Sequence, residues 1–196
     1  MIGGVILAAG ASKRMGRPKA LLDYRGETFI DRLIRVVSEV SEPVIVALGY
    51  HADTIRPHIK SHARIAINPC PERGQLSSLQ TALRELPVDA DGFLFLPVDC
   101  PTVLENTVQH LATSFAARSP ETLFVIPRWR DKRGHPVFAA PDIAREILNL
   151  PPEAKARDVV HRHVDRTLYV DVDDSGILTD IDDPAAYQRL IEVQAI

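Results

Sequence analysis

Val5-Ile-Leu-Ala-Ala-Gly-Ala-Ser-Lys-Arg-Met-Gly-Arg-Pro-Lys19 decides how the rest of the chain is read. It opens as an apolar run from Val5 to Ala8, long enough for a buried strand. It then breaks into a loop built on Gly10, Ala11, Ser12 and Gly16 that carries Lys13, Arg14, Arg17 and Lys19. A strand that ends in small residues lets backbone N–H groups approach an anion, and neighbouring cations add charge-assisted bonds to phosphate oxygens. Read alone, the loop is equally compatible with a surface turn carrying solvated cations. It is not a P-loop, because Arg17-Pro18 follows Gly16 where Lys-Ser/Thr is required. Nor is it the dinucleotide fingerprint, because position 12 is not a glycine.

Working outward, strand-like runs at Gly3–Ala8, Val44–Leu48, Arg64–Asn68, Phe93–Val98, Leu123–Ile126 and Thr167–Val172 are separated by helix-like stretches. Ile30, Leu33, Ile34, Val37 and Val40 recur at helical spacing, as do Leu76, Leu79, Leu83 and Leu86, with Thr28 placed to cap the first helix. The alternation predicts one α/β domain over residues 1–196, with a mostly parallel sheet and helices on both faces. Ligands in such sheets bind beyond the carboxyl ends of the strands. That rule puts the Gly10 loop, the Asn68 region and Asp99 on one rim.

Phe93-Leu-Phe-Leu-Pro-Val-Asp-Cys-Pro101 is a continuous apolar run ending in a carboxylate. A strand-end aspartate can simply cap a turn. On the same rim as a phosphate loop it also suits Mg2+, which takes hard oxygen ligands and neutralises charge in phosphoryl chemistry. In Asn68 to Gln80, Gly74 and Gln75 precede a helix whose first turns carry Ser77 and Ser78. Those hydroxyls either cap free N–H groups or, with Gln75, face an anion at the helix N-terminus. Arg128 to Phe138 is a basic loop, holding Trp129 and Arg133-Gly134-His135-Pro136, that runs into an apolar strand. Asp180 and Asp182 alternate along an extended segment and therefore share a face. An aspartate capping a helix begun at Pro184 is the other reading of that stretch.

Other features point to solvent or core. His51, His58 and His62 lie in a polar helix interrupted near Pro57, with no carboxylate or cysteine cluster to make a metal site. His161 and His163 fall on different helix faces. Cys70 and Cys100 form no CxxC pair, so neither zinc nor a disulfide is expected, and Cys100 reads as a small buried residue. Forty-five per cent hydrophobic residues suffice for a proper core, and the net charge of −3 gives no basic field for nucleic acid. No apolar run reaches membrane-spanning length, and the chain enters its first strand without a basic region and hydrophobic signal segment. A cytoplasmic protein is expected.

The motif Leu7-Ala8-Ala9-Gly10-x-Ser12-x-Arg14-Met15-Gly16-x-x-Lys19 resembles the signature of nucleotidyltransferases acting on molybdenum cofactor, closest to the cytidylyltransferases. The resemblance covers nearly the whole chain, with Gly74-x-x-Ser77-Ser78-Leu79, Pro97-x-Asp99-x-Pro101, Gly134-His135-Pro136 and Asp180-Ile181-Asp182 in family order. It implies a Rossmann-like fold of the nucleotide-diphospho-sugar transferase kind. It also implies that Leu7, Ala8, Ala9, Gly10, Arg14, Lys19, Gln75, Ser77 and Ser78 hold the nucleotide. Asp99 and Asp182 would hold Mg2+, with Asp180 or Asp183 as possible assistants, and Arg14, Lys19 and Asp99 would carry catalysis. Arg133, Gly134 and His135 would meet the acceptor. The implied substrates are CTP and molybdopterin, and the implied partner is a recipient molybdenum hydroxylase. Guanylyl transfer to the same pterin, nucleotidyl transfer to another phosphate, and a non-catalytic cofactor-binding role are the alternatives. The chain departs from the family after Asp182, with Asp183 in place of threonine and Ala185-Ala186 in place of an acidic pair.

Overall fold

The structure, a computed structural model, describes residues 1–192. Its strands are β1 (Ile2–Ala8), β2 (Asp23–Tyr24), β3 (Glu27–Thr28), β4 (Val44–Leu48), β5 (Arg64–Ile67), β6 (Gly92–Pro97), β7 (Phe124–Trp129), β8 (Lys132–Arg133), β9 (Val137–Ala139) and β10 (Thr167–Asp171). The helices are α1 (Phe29–Ser38), α2 (Ala52–Ile55), α3 (Gln75–Leu83), α4 (Glu105–Ala116), α5 (Pro141–Leu148), α6 (Ala156–Arg162) and α7 (Pro184–Glu192). Every strand expected from the sequence is present, with ends displaced by at most a few residues.

Alternation along the strands builds two cores. Val5 and Leu7 of β1 face one side with Ile45, Ala47, Phe93, Phe95 and the inner residues of α3 and α5. Ile6 and Ala8 face the other with Val46, Leu48, Leu94, Leu96 and the inner residues of α1 and α4. The sheet is thus covered on both faces, as a parallel sheet requires. Thr28 caps α1 as expected, its hydroxyl oxygen accepting from the Asp31 N–H at 3.2 Å.

The strand order is β10-β7-β9-β6-β1-β4-β5, with β8 paired to β7. β1 runs parallel to β4 and β6, β5 to β4, and β10 to β7. The three-residue β9 is antiparallel to both β6 and β7. Strands β1, β4, β5, β6 and β7 therefore end on one rim, and β9 begins there. The basic loop is a hairpin: β7 extends to Trp129 and pairs with β8 through Arg130 and Asp131, whose φ angles are 46° and 65°. No helix among the described residues is long and apolar enough to cross a membrane, and both cysteines are free.

Candidate functional site

The loop after β1 is shaped by three residues. The Ser12 carbonyl accepts from the Met15 and Gly16 N–H groups at 3.0 Å each. Its hydroxyl accepts from the Lys19 N–H at 3.2 Å. Met15 is buried in the core and anchors the loop from beneath, while Gly16 takes a φ of 73° that side chains rarely adopt. Lys13 and Arg14 stand out from the loop, and Lys19 turns back beneath it.

Lys19 is the centre of the charge arrangement. Its ammonium donates to Asp99 Oδ2 at 3.0 Å and also to Asp182 Oδ1, while the Arg14 guanidinium donates to Asp182 Oδ2 at 2.6 Å. Burial works to lower the Lys19 pKa, but the bonds and charges of Asp182 and Asp99 outweigh it and raise it. The bond from Lys19, with that from Arg14, holds Asp182 below the usual carboxylate range. The pairing follows from backbone placement. The Val98 N–H donates to the Leu7 carbonyl at 3.0 Å, and the Ile181 N–H to the Asp99 carbonyl at 2.9 Å. With Ile181 buried, its neighbours Asp180 and Asp182 come down beside Asp99.

Asp180 lies against Cys100, and burial, then the charge of Asp99, raises its pKa. Among the described residues, Asp99, Cys100 and Asp180 have ligand atoms within 4.8 Å of one another. Burial, reinforced by Asp99 and Asp180, pushes the Cys100 thiol well above its ordinary range, so it remains protonated and unsuited to a hard cation. The carboxylates are suited. Asp99 and Asp182 already converge on one cation, the Lys19 ammonium, and carboxylate oxygens are the ligands Mg2+ and Mn2+ favour. Asp183 stands apart, its Oδ1 accepting from the Ala186 N–H at 2.8 Å in the first turn of α7. The capping reading of this stretch thus belongs to Asp183.

Two clefts open on the rim. The first, about 460 Å3, is lined by Leu7 to Arg14, Lys19, Gly74, Gln75, Ser78, Asp99 and Asp182, among others. The second, about 530 Å3, is lined by Phe95, Arg133, Gly134, His135, α6 residues and Asp180. They meet at Gln75, Pro97, Asp99 and Asp182, which line both. Gly134 packs so closely on the 175–178 turn that a Cβ would fall 2.1 Å from the Ile177 oxygen. The next N–H, of His135, donates to that oxygen at 2.9 Å. Burial lowers the His135 pKa, and its Nδ1 has no hydrogen-bond partner.

Some expected residues sit elsewhere. Ser77 lines neither cleft; its hydroxyl donates to the Gly74 carbonyl at 2.8 Å and accepts from Asn68 Nδ2 at 2.9 Å. Ser78 lines the first cleft, but its hydroxyl also accepts from Asn68 Nδ2, at 3.0 Å. Asn68, buried and bound to both, braces the turn that leads into α3. Trp129 lines neither cleft; the Arg130 guanidinium lies 4.5 Å over its ring. The three N-terminal histidines do not converge: His51 bonds the Ala11 carbonyl at 2.9 Å and His58 the Thr54 carbonyl at 2.8 Å. His163 pairs with Glu146 at 2.8 Å. Sequence reasoning missed Glu72 and the half-exposed Tyr50, which line the first cleft. Tyr50 is fixed by its backbone, since its N–H donates to the Ala9 carbonyl at 3.3 Å.

The profile of the MobA-like NTP transferase domain matches residues 4–167. The chain belongs to this family. A relative named "Probable molybdenum cofactor guanylyltransferase" from Bacillus cereus (strain ZK / E33L) is 31% identical over 103 residues, 51% of this chain and 50% of that one. The chain thus spans about half the length of the curated relatives it matches. Over 97% of both chains it is similar to the crystal structure of Rv0371c from Mycobacterium tuberculosis H37Rv, with 29% identity and a TM-score of 0.85. A manganese complex of Rv0371c is 26% identical with a TM-score of 0.81, covering 97% of this chain and 98% of that one. The resemblance read from the loop, strand-end aspartate and Gly-His-Pro motifs therefore leads to the right family, and the mostly parallel sheet is that of the nucleotidyltransferases.

Proposed function

We propose that this family member transfers CMP from CTP to the terminal phosphate of molybdopterin, releasing pyrophosphate, with Mg2+ held by Asp99 and Asp182. The observation that carries the reading is the pair of clefts meeting at those two carboxylates. A nucleotide in the first cleft and an acceptor in the second would meet there, as in-line transfer requires. Bound there, Mg2+ supplies charge neutralisation at the phosphates. The remaining work falls to the chain. Arg14 and Lys19 hold the departing phosphates, and the backbone from Leu7 to Gly10 seats the base. Arg133, Gly134 and His135 orient the acceptor. No side-chain nucleophile is needed, because positioning and charge carry this chemistry, and the protonated Cys100 is no candidate for one.

Base choice rests on position 9. Ala9 is buried, and a Cβ on Gly49 would come within 2.9 Å of its methyl. The methyl thus narrows the floor beside Gly49 and favours the smaller pyrimidine, while Gln75 and Glu72 offer polar groups to its edge. Guanylyl transfer is the second reading, favoured by the names of the curated relatives. The manganese complex of Rv0371c supports a divalent cation without choosing between Mg2+ and Mn2+. The product would pass to a molybdenum hydroxylase in the cytoplasm. Pyrophosphate release measured with molybdopterin, Mg2+ and each NTP tests the reading: CTP alone should be used efficiently, and efficient use of GTP instead would replace cytidylyl with guanylyl transfer.

A further inference from the structure

The second cleft has two kinds of polar wall. Asp99 and Asp182 stand where it meets the first cleft, with Asp180 beside Asp99, whereas Arg133, Arg157 and His161 line the second cleft and not the first. Neighbouring arginines, one on α6 and one on β7, are neutralised. Arg162 pairs with Glu146 at 2.7 Å, and Arg128 pairs with Asp171 at 2.7 Å. Among the described residues, no carboxylate pairs with Arg133, Arg157 or His161. The Arg133 guanidinium lies 4.5 Å over the Tyr169 ring, a contact that fixes its position and leaves its donors free. His135, in the same cleft, leaves Nδ1 without a partner, and buried polar atoms without partners are uncommon.

The proposed reaction supplies the reason for such a wall. An acceptor phosphate must approach a triphosphate of the same sign, and Arg14 and Lys19 are committed to the triphosphate in the first cleft. Cations reserved for the acceptor must therefore line the second cleft only, because at contact distance the repulsion is otherwise severe.

We infer that the α6 edge of the second cleft is an anion subsite in which Arg157 and His161, together with Arg133, bind the phosphomonoester of the acceptor. This rests on the reading of the second cleft as the acceptor side and adds α6 to it. Arg157 supplies fixed charge and paired donors, and His161 supplies a further donor. The apolar lining, Phe95, Ile126, Val137, Val160 and Leu178, suits a flat ring attached to the phosphate.

The test uses the full chain saturated with Mg2+ and a non-hydrolysable CTP analogue, so that the first cleft is filled. Inorganic phosphate is then titrated calorimetrically into wild type, Arg157→Gln, Arg157→Lys and Arg162→Gln. Arg157→Gln should weaken phosphate binding about 10- to 100-fold, the scale of a lost charged hydrogen bond. Arg157→Lys should recover part of it, Arg162→Gln should match wild type, and affinity for the CTP analogue should be unchanged throughout. With molybdopterin as acceptor, Arg157→Gln should raise its KM by a similar factor and leave kcat little altered. The inference is overturned if phosphate binds wild type and Arg157→Gln equally or binds neither. It is also overturned if CTP affinity falls in parallel, or if Arg157→Gln leaves the molybdopterin KM unchanged. If molybdopterin is not a substrate while the phosphate effect holds, the proposed acceptor fails and the subsite stands.

Discussion

Asp99→Asn separates the proposed catalytic role of the carboxylate at the junction of the clefts from its structural worth. In the structure Asp99 accepts from Lys19 at 3.0 Å, with its side chain 22% exposed. That attraction is about 1.4 kcal/mol in a water-like dielectric and several-fold larger in a partly buried setting. Three compensations reduce the loss: asparagine keeps an oxygen for the ammonium, Lys19 keeps Asp182, and Asp180 loses a like-charged neighbour. The net change in stability should stay within about 1 kcal/mol, as for most partly exposed pairs. Turnover should fall much further, by roughly 10²–10³, the effect of losing one preorganised group that meets developing charge. Urea unfolding midpoints give the first quantity, pyrophosphate release the second, and Mn2+ binding followed by electron paramagnetic resonance reports the site directly. A folded variant with wild-type turnover and unchanged Mn2+ affinity would remove Asp99 from the site.

Lys19→Ala should weaken triphosphate binding about 10- to 100-fold and leave binding of the bare nucleoside nearly unchanged; equal calorimetric losses for both would make Lys19 a brace for the loop. Ala9→Gly should reduce the preference for CTP over GTP by about tenfold, the lower range for one methyl in a pocket, because that methyl is already buried beside Gly49; competition between the two nucleotides measures it, and an unchanged ratio would exclude position 9. Burial raises the Asp31 pKa, but bonds from the Ser61 amide, the Thr28 hydroxyl and the Lys60 amide outweigh it and leave the carboxyl below its ordinary value. The folded value is depressed, so its contribution is complete above the unfolded pKa of about 3.9 and is lost as pH falls through the folded value. Unfolding midpoints of wild type and Asp31→Asn should therefore converge in acid; a gap independent of pH would contradict the linkage.

Apolar pattern and turn chemistry explain what could be read in advance. The Val5–Ala8 and Phe93–Pro97 runs give way to residues with no role in a core, so Gly10 and Asp99 mark the rim in the sequence itself. Strand direction was harder. β9 is three residues long, and no composition distinguishes an antiparallel insertion from another parallel strand. The β7–β8 turn was obscure because Arg130 and Asp131 occupy positive-φ positions where asparagine and glycine are the usual signal. Asn68 precedes Ser77 by nine residues, and only the intervening turn makes it the partner of both serines. Arg157 and His161 sit in a short helix, and the sequence does not reveal that this helix borders a cleft.

Under the proposed reaction, the charges at the junction let one network serve two substrates. Lys19 bonds both Asp99 and Asp182, and Arg14 bonds Asp182, so each cation proposed for phosphate is engaged by a carboxylate proposed for the metal. Under the proposed mechanism, Lys19 and Arg14 can turn fully to a triphosphate only when the carboxylates satisfy another cation. Nucleotide and divalent-cation affinity are then linked through Lys19, and each must strengthen the other by the same factor. Residues sharing a network in this way do not act independently. Lys19→Ala leaves Asp99 without its internal counter-charge and Asp182 with Arg14 alone, which should tighten divalent-cation binding while loosening the triphosphate. Asp99→Asn should do the reverse for the cation. Opposite signs at the two ends of a 3.0 Å contact are what a shared charge network requires, and a purely structural pairing of Lys19 with Asp99 would weaken both ligands together.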